Sequence, residues 1–470
     1  MKQEFKIGFV PASRGFFSQE LAMKMRDLTI VAMTRAGLAP VVPGPELTRN
    51  GLVESHGEAM KAAKLFREQH VAGVVVGAVN FGNEVPAAEA AIGGAHGGPI
   101  FLFGCKEEGK LTPTSDRRDA FCGLLSIATA LRRRGAKYVF PKVANTYPDE
   151  PAFIKELADF GAMCRVARGI RGAVYGQFGT RPREFETCVF DEASLLRSFG
   201  IKVVPLPLSE IFGLAGKLDD QGRIKKTVEE LKKTASAGGA DKAALTKLAR
   251  LEIVLRDKVA EFEMSGIAIQ CWTSIQTDYG VTPCVIMGRL DEEGIPAACE
   301  VDIHGTLSMH MLALAAGRAS ALADWNNRHY KRKNVFSAWH CGVFPPSFTK
   351  RKRVMSYHKI VADTVGAENA FGTVELETDP GPVTLARITE SGDGAWKLLI
   401  CEGDVVKADG STFGGNAWVE VKDLDTLYGA LLRDFPHHTA IVPGHVGRIL
   451  EKAAYFLGME AVMPLGLMKD

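Results

Sequence analysis

Apolar residues fall into two rhythms along this chain. Over the first 168 positions short apolar runs alternate with stretches of helical period, the signature of βαβ units around a parallel sheet. Strands are expected over 6–11, 38–43, 71–79 and 99–104, and helices over 19–36, 54–69, 119–134 and 151–166. The run VAGVVVGAV at 71–79 is apolar throughout, as a strand covered on both faces must be. Ligands of open parallel sheets gather beyond the carboxyl ends of strands. That draws attention to the loops 13–17 (SRGFF) and 80–83 (NFGN), and to Arg14 as either a ligand-binding or a merely solvated cation.

The pattern restarts at 171–176 (RGAVYG), with a glycine-bearing loop 177–182, a helix over 186–198 and a strand over 202–205. Residues 218–263 read as two wet-faced helices broken at Gly238-Gly239, followed by strands over 266–272 and 283–288. A turn at 291–294 leads into 294–305 (GIPAACEVDIHG), which reads as a strand end before a helix over 307–321 that runs on to about 324. Residues 335–346 (VFSAWHCGVFPP) read as a loop holding His340. From 372 the rhythm changes to short alternating strands (374–377, 383–389, 396–402, 417–421) separated by turn signals. A loop with His437 and His438, a helix over 447–457 and a strand over 461–464 close the chain. The expected fold is two parallel-sheet α/β domains, 1–168 and 169–330, followed by a β-rich, barrel-like domain, 331–470.

Composition narrows the classes. A chain of 470 residues is too long for one core. A net charge of +2 argues against a broad nucleic-acid surface, and the basic patch at 329–333 has few aromatic neighbours. No run of eighteen apolar residues occurs, so no membrane span is expected, and no secretory leader is visible. Nine scattered cysteines without CxxC fit a reducing cytoplasm better than a disulfide framework.

Chemistry concentrates at 294–305. Along a strand Glu300, Asp302 and His304 would share one face. Two carboxylates and an imidazole crowded together suit a divalent cation. The alternative is that Glu300 and Asp302 cap the following helix. His304, His340, His437, His438 and His445 are the histidines in suggestive contexts; of the adjacent pair at most one can be a ligand. Cys299 and Cys341 lack an identifiable activating base, and there is no HExxH, GxSxG, Walker A or dinucleotide fingerprint.

Several motifs together resemble the L-fucose isomerase and L-arabinose isomerase superfamily, in its shorter fucose-isomerase-like branch. They are Arg14-Gly15, Gln270-Cys-Trp272, 294–302, Trp339-His-Cys-Gly, 394–403 (GAWKLLICEG) and 438–445 (HTAIVPGH). The resemblance spans nearly the whole chain and implies an Mn²⁺-dependent (or other divalent-metal) aldose–ketose isomerase working through an enediolate. It implies a homo-oligomer, usually a hexamer, with sites at subunit interfaces. By position it makes Asp302 and His438 metal ligands and Arg14 and Gln270 substrate-binding residues; Trp272 and His340 are expected to bind substrate beside them, His340 as partner to a substrate hydroxyl or as an additional ligand. It also implies a glutamate on the segment 282–287, where none occurs; Asp278 and Glu300 are the nearest acids to serve as ligand and proton carrier. Two other readings remain open from sequence. One is a non-catalytic sugar-binding or regulatory protein; the other is an isomerase of a phosphorylated or sulfonated sugar, its anion held by Arg14, Arg181 and Arg183.

Overall fold

The computed structural model describes residues 5–237 and 242–467; the expected break at Gly238-Gly239 lies outside them. The chain forms two compact units, 1–168 and 169–470.

The first unit is a five-stranded parallel sheet of β1 (Lys6–Ala12), β2 (Ala39–Val41), β3 (Val74–Ala78), β4 (Ile100–Cys105) and β5 (Asn145–Thr146), ordered β2-β1-β3-β4-β5. Its helices are α1 (Gln19–Arg35), α2 (His56–Glu68), α3 (Glu84–Ala95), α4 (Ala120–Arg133) and α5 (Pro151–Ile170). Every residue of β3 and β4 is buried, which explains their unbroken apolar runs. The start of α2 is fixed by a capping box between Ser55 and Glu58. The helix α3 has no counterpart in the expected elements. Its sequence, EVPAAEAAIGGA, is small and buried on most sides, so no polar stripe betrays a helical period. The strand order reverses between β1 and β3, and there the two expected ligand loops meet: the Arg14 amide donates to Asn80 Oδ1 at 2.9 Å.

The second unit opens with a parallel sheet of β6 (Val174–Phe178), β7 (Lys202–Leu206), β8 (Gly266–Ile269) and β9 (Ala297–Cys299), ordered β7-β6-β8-β9. This repeats the order of the first four strands of the other unit. Its helices are α6 (Glu192–Phe199), α7 (Leu208–Lys217), α8 (Gln221–Thr234), α9 (Lys242–Glu261), α10 (Cys284–Glu292) and α11 (Ile303–Ala316). The helix expected over 186–198 is interrupted: a single 3₁₀ turn, Glu186–Cys188, precedes α6. The strand expected over 283–288 is α10 instead. The run Cys284-Val-Ile-Met is buried on all sides, so periodicity cannot separate strand from helix there.

The β-rich part comprises β10 (Ala321–Arg328), β11 (Val335–His340), β12 (Val354–Tyr357), β13 (Phe371–Glu377), β14 (Gly381–Glu390), β15 (Trp396–Val405), β16 (Gly415–Glu420), β17 (His438–Pro443) and β18 (Glu460–Val462). Antiparallel pairing runs β16-β11-β10-β17-β14-β15 and returns from β15 to β16, so six strands close into a barrel. The strands β12, β13 and β18 extend it, with the helices α12 (Lys359–Val365), α13 (Leu424–Asp434) and α14 (Gly447–Leu457). Two expectations change here. The helix expected to reach 324 stops at Gly317, a left-handed cap (φ +65°), and the apolar residues beyond it are β10. The loop expected over 335–346 contains β11, which ends on His340.

Candidate active site

The stretch 294–305 is not the single strand face its alternation suggested. β9 stops at Cys299, and Glu300 and Val301 both adopt left-handed backbone angles (φ +60° and +58°). A β-branched residue in that region is strained, and such strain persists where surrounding structure over-determines it. The kink separates the two acids. Glu300 is left at the strand end, and Asp302 becomes the N-cap of α11, accepting the Gly305 amide at 2.8 Å. Gly305 is required there, because a Cβ would stand 2.6 Å from Asp302 Oδ2.

Two further residues come from the barrel. Asp324 on β10 and His438 on β17 are directly paired in the antiparallel register, so their side chains leave the same face side by side. His438 Nε2 lies 2.8 Å from Glu300 Oε2 and 3.7 Å from Asp324 Oδ1. All three atoms are buried and none is aligned for a hydrogen bond. An orphaned imidazole nitrogen facing two orphaned carboxylate oxygens is the donor set of a divalent cation. The ligand atoms fall into two overlapping groups that share His438: Cys188, Glu300 and His438, and Asp324, His340 and His438.

Asp302, expected as a ligand, lies on the Nδ1 side of His438. Both its oxygens are committed: Arg387 donates to Oδ2 at 2.5 Å and to Oδ1 at 3.1 Å, Gly305 occupies Oδ1, and His438 Nδ1 lies 2.8 Å from Oδ2. Asp302 and Arg387 are each about 1% exposed. This carboxylate behind the imidazole fixes the ring so that Nε2 faces Glu300, as outer partners of metal-binding histidines do. Burial alone would raise the Asp302 pKa, but Arg387 and His438 hold it far below the usual carboxylate range. Burial would lower His438, yet Asp302, Cys188 and Glu300 raise it well above an ordinary histidine. Glu300 is held low, because His438, His340 and the Trp272 indole outweigh its desolvation, whereas desolvation raises Asp324. The acid pair is therefore split by environment.

A cavity of about 330 Å³ opens onto these groups, lined among others by Phe185, Trp272, Glu300, Asp324, His340, Cys341 and His437. Trp272 Nε1 donates to Glu300 Oε1 at 3.0 Å, and both Trp272 and His340 line this cavity. The other candidates lie elsewhere. Asp278, expected as both ligand and proton carrier, is exposed on a short π-helical turn, where its carboxylate accepts from Thr277; it belongs to none of the converging groups among the described residues. Gln270 has its amide spent internally, accepting from the Thr180 amide and donating to Ser274, both at 3.0 Å. Arg14 sits in the first unit, bonded to Asn83 and Glu84 with its guanidinium 4.1 Å over the Phe81 ring. Arg181 folds back onto the carbonyls of Pro182 and Arg183. His304 is a buried helix residue against Trp396, and desolvation lowers its pKa to about 4.

Asp324 and Arg387 escaped the sequence reading. Each carries a signal in retrospect: Gly317 marks a helix end before ALAD, and Arg387 is a lone charge inside the apolar alternation VTLARITE.

Buried acids and an imidazole gathered beside a cavity, on barrel strands and at the end of a parallel-sheet strand, make an enclosed site whose residues could hold a divalent cation. Two family models match the chain: the fucose/sulfoquinovose isomerase N-terminal domain over residues 8–171 and the L-fucose isomerase C-terminal domain over 338–464. The chain belongs to the fucose-isomerase-like superfamily. It is similar to the sulfoquinovose isomerase of Priestia megaterium (27% identical over 316 residues, 67% of this chain and 69% of the relative). It is also similar to those of Alkalicoccus urumqiensis (26% over 325 residues, 67% and 70%) and Clostridium sp. strain MSTE9 (23% over 354 residues, 73% and 76%).

Proposed function

We propose that this chain is an aldose–ketose isomerase of a sulfonated monosaccharide, an intramolecular oxidoreductase of the kind its relatives are named for. The observation that carries the reading is His438 Nε2, buried beside the cavity and flanked by two acids, 2.8 Å from Glu300 Oε2 and 3.7 Å from Asp324 Oδ1, none of the three atoms aligned for a hydrogen bond. Glu300, Asp324 and His438 would hold a divalent cation, read as Mn²⁺, which when bound supplies Lewis-acid polarisation of the substrate carbonyl.

The remaining work falls to the chain's own groups. The reaction moves one proton between C1 and C2 and another between O1 and O2. Glu300, ionised and held through Oε1 by the Trp272 indole, carries the carbon-bound proton. His340 faces the cavity as partner to a substrate hydroxyl. Asp302 and Arg387 keep His438 oriented without touching substrate. Phe185 and Trp272, 5.4 Å apart in an edge-on contact, give the sugar an apolar wall. Arg181 and Arg183 share the loop that carries Phe185 and are read as the cations nearest the sulfonate, with Arg14 supplied by another subunit of a homo-oligomer, read as a hexamer. The exposed Phe16 beside Arg14, at 81%, supports that oligomer. Nine free cysteines support a cytoplasmic setting. No helix among the described residues is long and apolar enough to cross a membrane. We read the chain as three domains, 1–168, 169–330 and 331–470.

The test is conversion of sulfoquinovose to its ketose, followed by NMR, in chelator-treated protein before and after Mn²⁺, beside glucose, fucose and their phosphates. The expected result is turnover of the sulfonated sugar that depends on added metal. Turnover of a neutral or phosphorylated sugar alone overturns the substrate assignment, and unchanged turnover after complete metal removal overturns the metal's role.

A further inference from the structure

Cys299, Cys341 and His340 form a second cluster of ligating atoms beside the carboxylate centre, with Cys284 next to Cys341. Cys284 begins α10, Cys299 ends β9, and His340 and Cys341 terminate β11. All are buried, Cys284 and Cys299 completely. The sulfurs of Cys299 and Cys341 and a ring nitrogen of His340 lie within 4.8 Å of one another. Cys284 Sγ stands 3.7 Å from Cys341 Sγ, and His340 Nδ1 stands 3.2 Å from Cys341 Sγ.

We propose that Cys299, Cys341 and His340 form a second, thiolate-rich cation site that takes a soft ion such as Zn²⁺. Buried free cysteines ordinarily serve as small apolar fillers. Here the spacing argues for more. Tetrahedral zinc with arms of about 2.3 Å to sulfur places two sulfurs about 3.8 Å apart, within the 4.8 Å that bounds Cys299, Cys341 and His340. Two cysteines and one histidine give three protein ligands and leave the fourth position to a water. Softness separates it from the carboxylate centre, because thiolates select zinc-like ions while carboxylates suit manganese. On binding, two S–H protons pass to solvent as two sulfur–metal bonds form. His340 contributes the Nδ1 lone pair that otherwise accepts the Cys341 amide at 3.0 Å, and no electrons are transferred. Entry is provided by the cavity, since His340 and Cys341 both line it. His340 also belongs to the group of Asp324 and His438, so filling the sulfur site alters the wall of the carboxylate site.

This inference does not rest on the isomerase reading, and its test is spectroscopic. Co²⁺ is titrated into the chelator-treated full chain, and the near-ultraviolet sulfur-to-cobalt charge-transfer band is recorded. One equivalent saturates the band in wild type and in Glu300→Gln, which disables only the carboxylate centre. Cys299→Ala and Cys341→Ala each weaken the band's binding by more than about 100-fold, beyond the 10–100-fold that loss of an outer hydrogen-bond partner costs. Replacing the exposed Cys122 by alanine changes nothing. Circular dichroism establishes that each variant is folded; should one of the two cysteine variants fail to fold, the other is read. Absence of a charge-transfer band in folded wild type, or a band that survives both substitutions, overturns the proposal and leaves the cluster as packed thiols.

Discussion

Glu300 and Asp302 are two residues apart, both acidic and both buried, yet they are opposites. Asp302 is saturated: a guanidinium, a helix-start amide and an imidazole fill its oxygens. Glu300 has one oxygen on an indole and the other facing an imidazole without a hydrogen bond. A buried polar atom left unpaired is costly, and proteins keep few of them. In the proposed function Glu300 accordingly does the chemistry and Asp302 supports it. The left-handed step at Glu300 and Val301 turns neighbouring carboxylates toward different partners.

The sharpest way to break this contrast is to remove the unsatisfied acids. Glu300→Gln is expected to lower turnover by about 10³-fold or more, the scale of a lost general base, while the melting temperature holds or rises because a buried charge is gone. Steady-state kinetics and thermal denaturation check both halves. On the other side, Arg387→Met leaves Asp302 buried without its cation and is expected to cost about 3–5 kcal/mol of stability, read from denaturant midpoints. The neutral Asp302→Leu/Arg387→Met pair is expected to recover much of that loss.

A third prediction contrasts two buried histidines. His438 lies among carboxylates, whereas His310 on α11 has the Tyr175 hydroxyl at 3.0 Å, and desolvation lowers its pKa to about 4. The unfolded chain binds this proton near pH 6.5 and the folded chain does not, so stability is fully present above 6.5 and is lost as pH falls towards 4. The expected loss is about 3 kcal/mol over that window. Comparing denaturation of wild type and His310→Gln at pH 7 and pH 4.5 isolates it; equal pH dependence in the two proteins contradicts the assignment. Asp302→Asn leaves Arg387 buried without its anion, so it too should lose stability, and in the folded protein it should weaken metal binding about 10–100-fold by loosening His438.

How much of this was legible before folding depended on burial. The parallel sheets were, because strands such as β3 and β4 are covered on both faces and print continuous apolar runs. The same covering hid the nature of α10 and α3, since a helix buried all round loses its polar stripe. At the site, Glu300 and His438 stood out as an acid cluster and a late histidine. Asp324 did not, because ALAD continues the apolar texture of α11 and its meeting with His438 is made only by the β10–β17 register. No local pattern in CEVD reveals the left-handed pair that divides Glu300 from Asp302, so both acids seemed to share one face.

The central claim is that the cation is held by Glu300, Asp324 and His438, with Asp278 and the Asp302 carboxylate outside its shell. Calorimetric titration of Mn²⁺ into Asp324→Asn and Asp278→Ala tests it most directly. The account predicts that Asp324→Asn loses measurable binding while Asp278→Ala binds one equivalent with wild-type affinity. Binding lost in Asp278→Ala and retained in Asp324→Asn would contradict it.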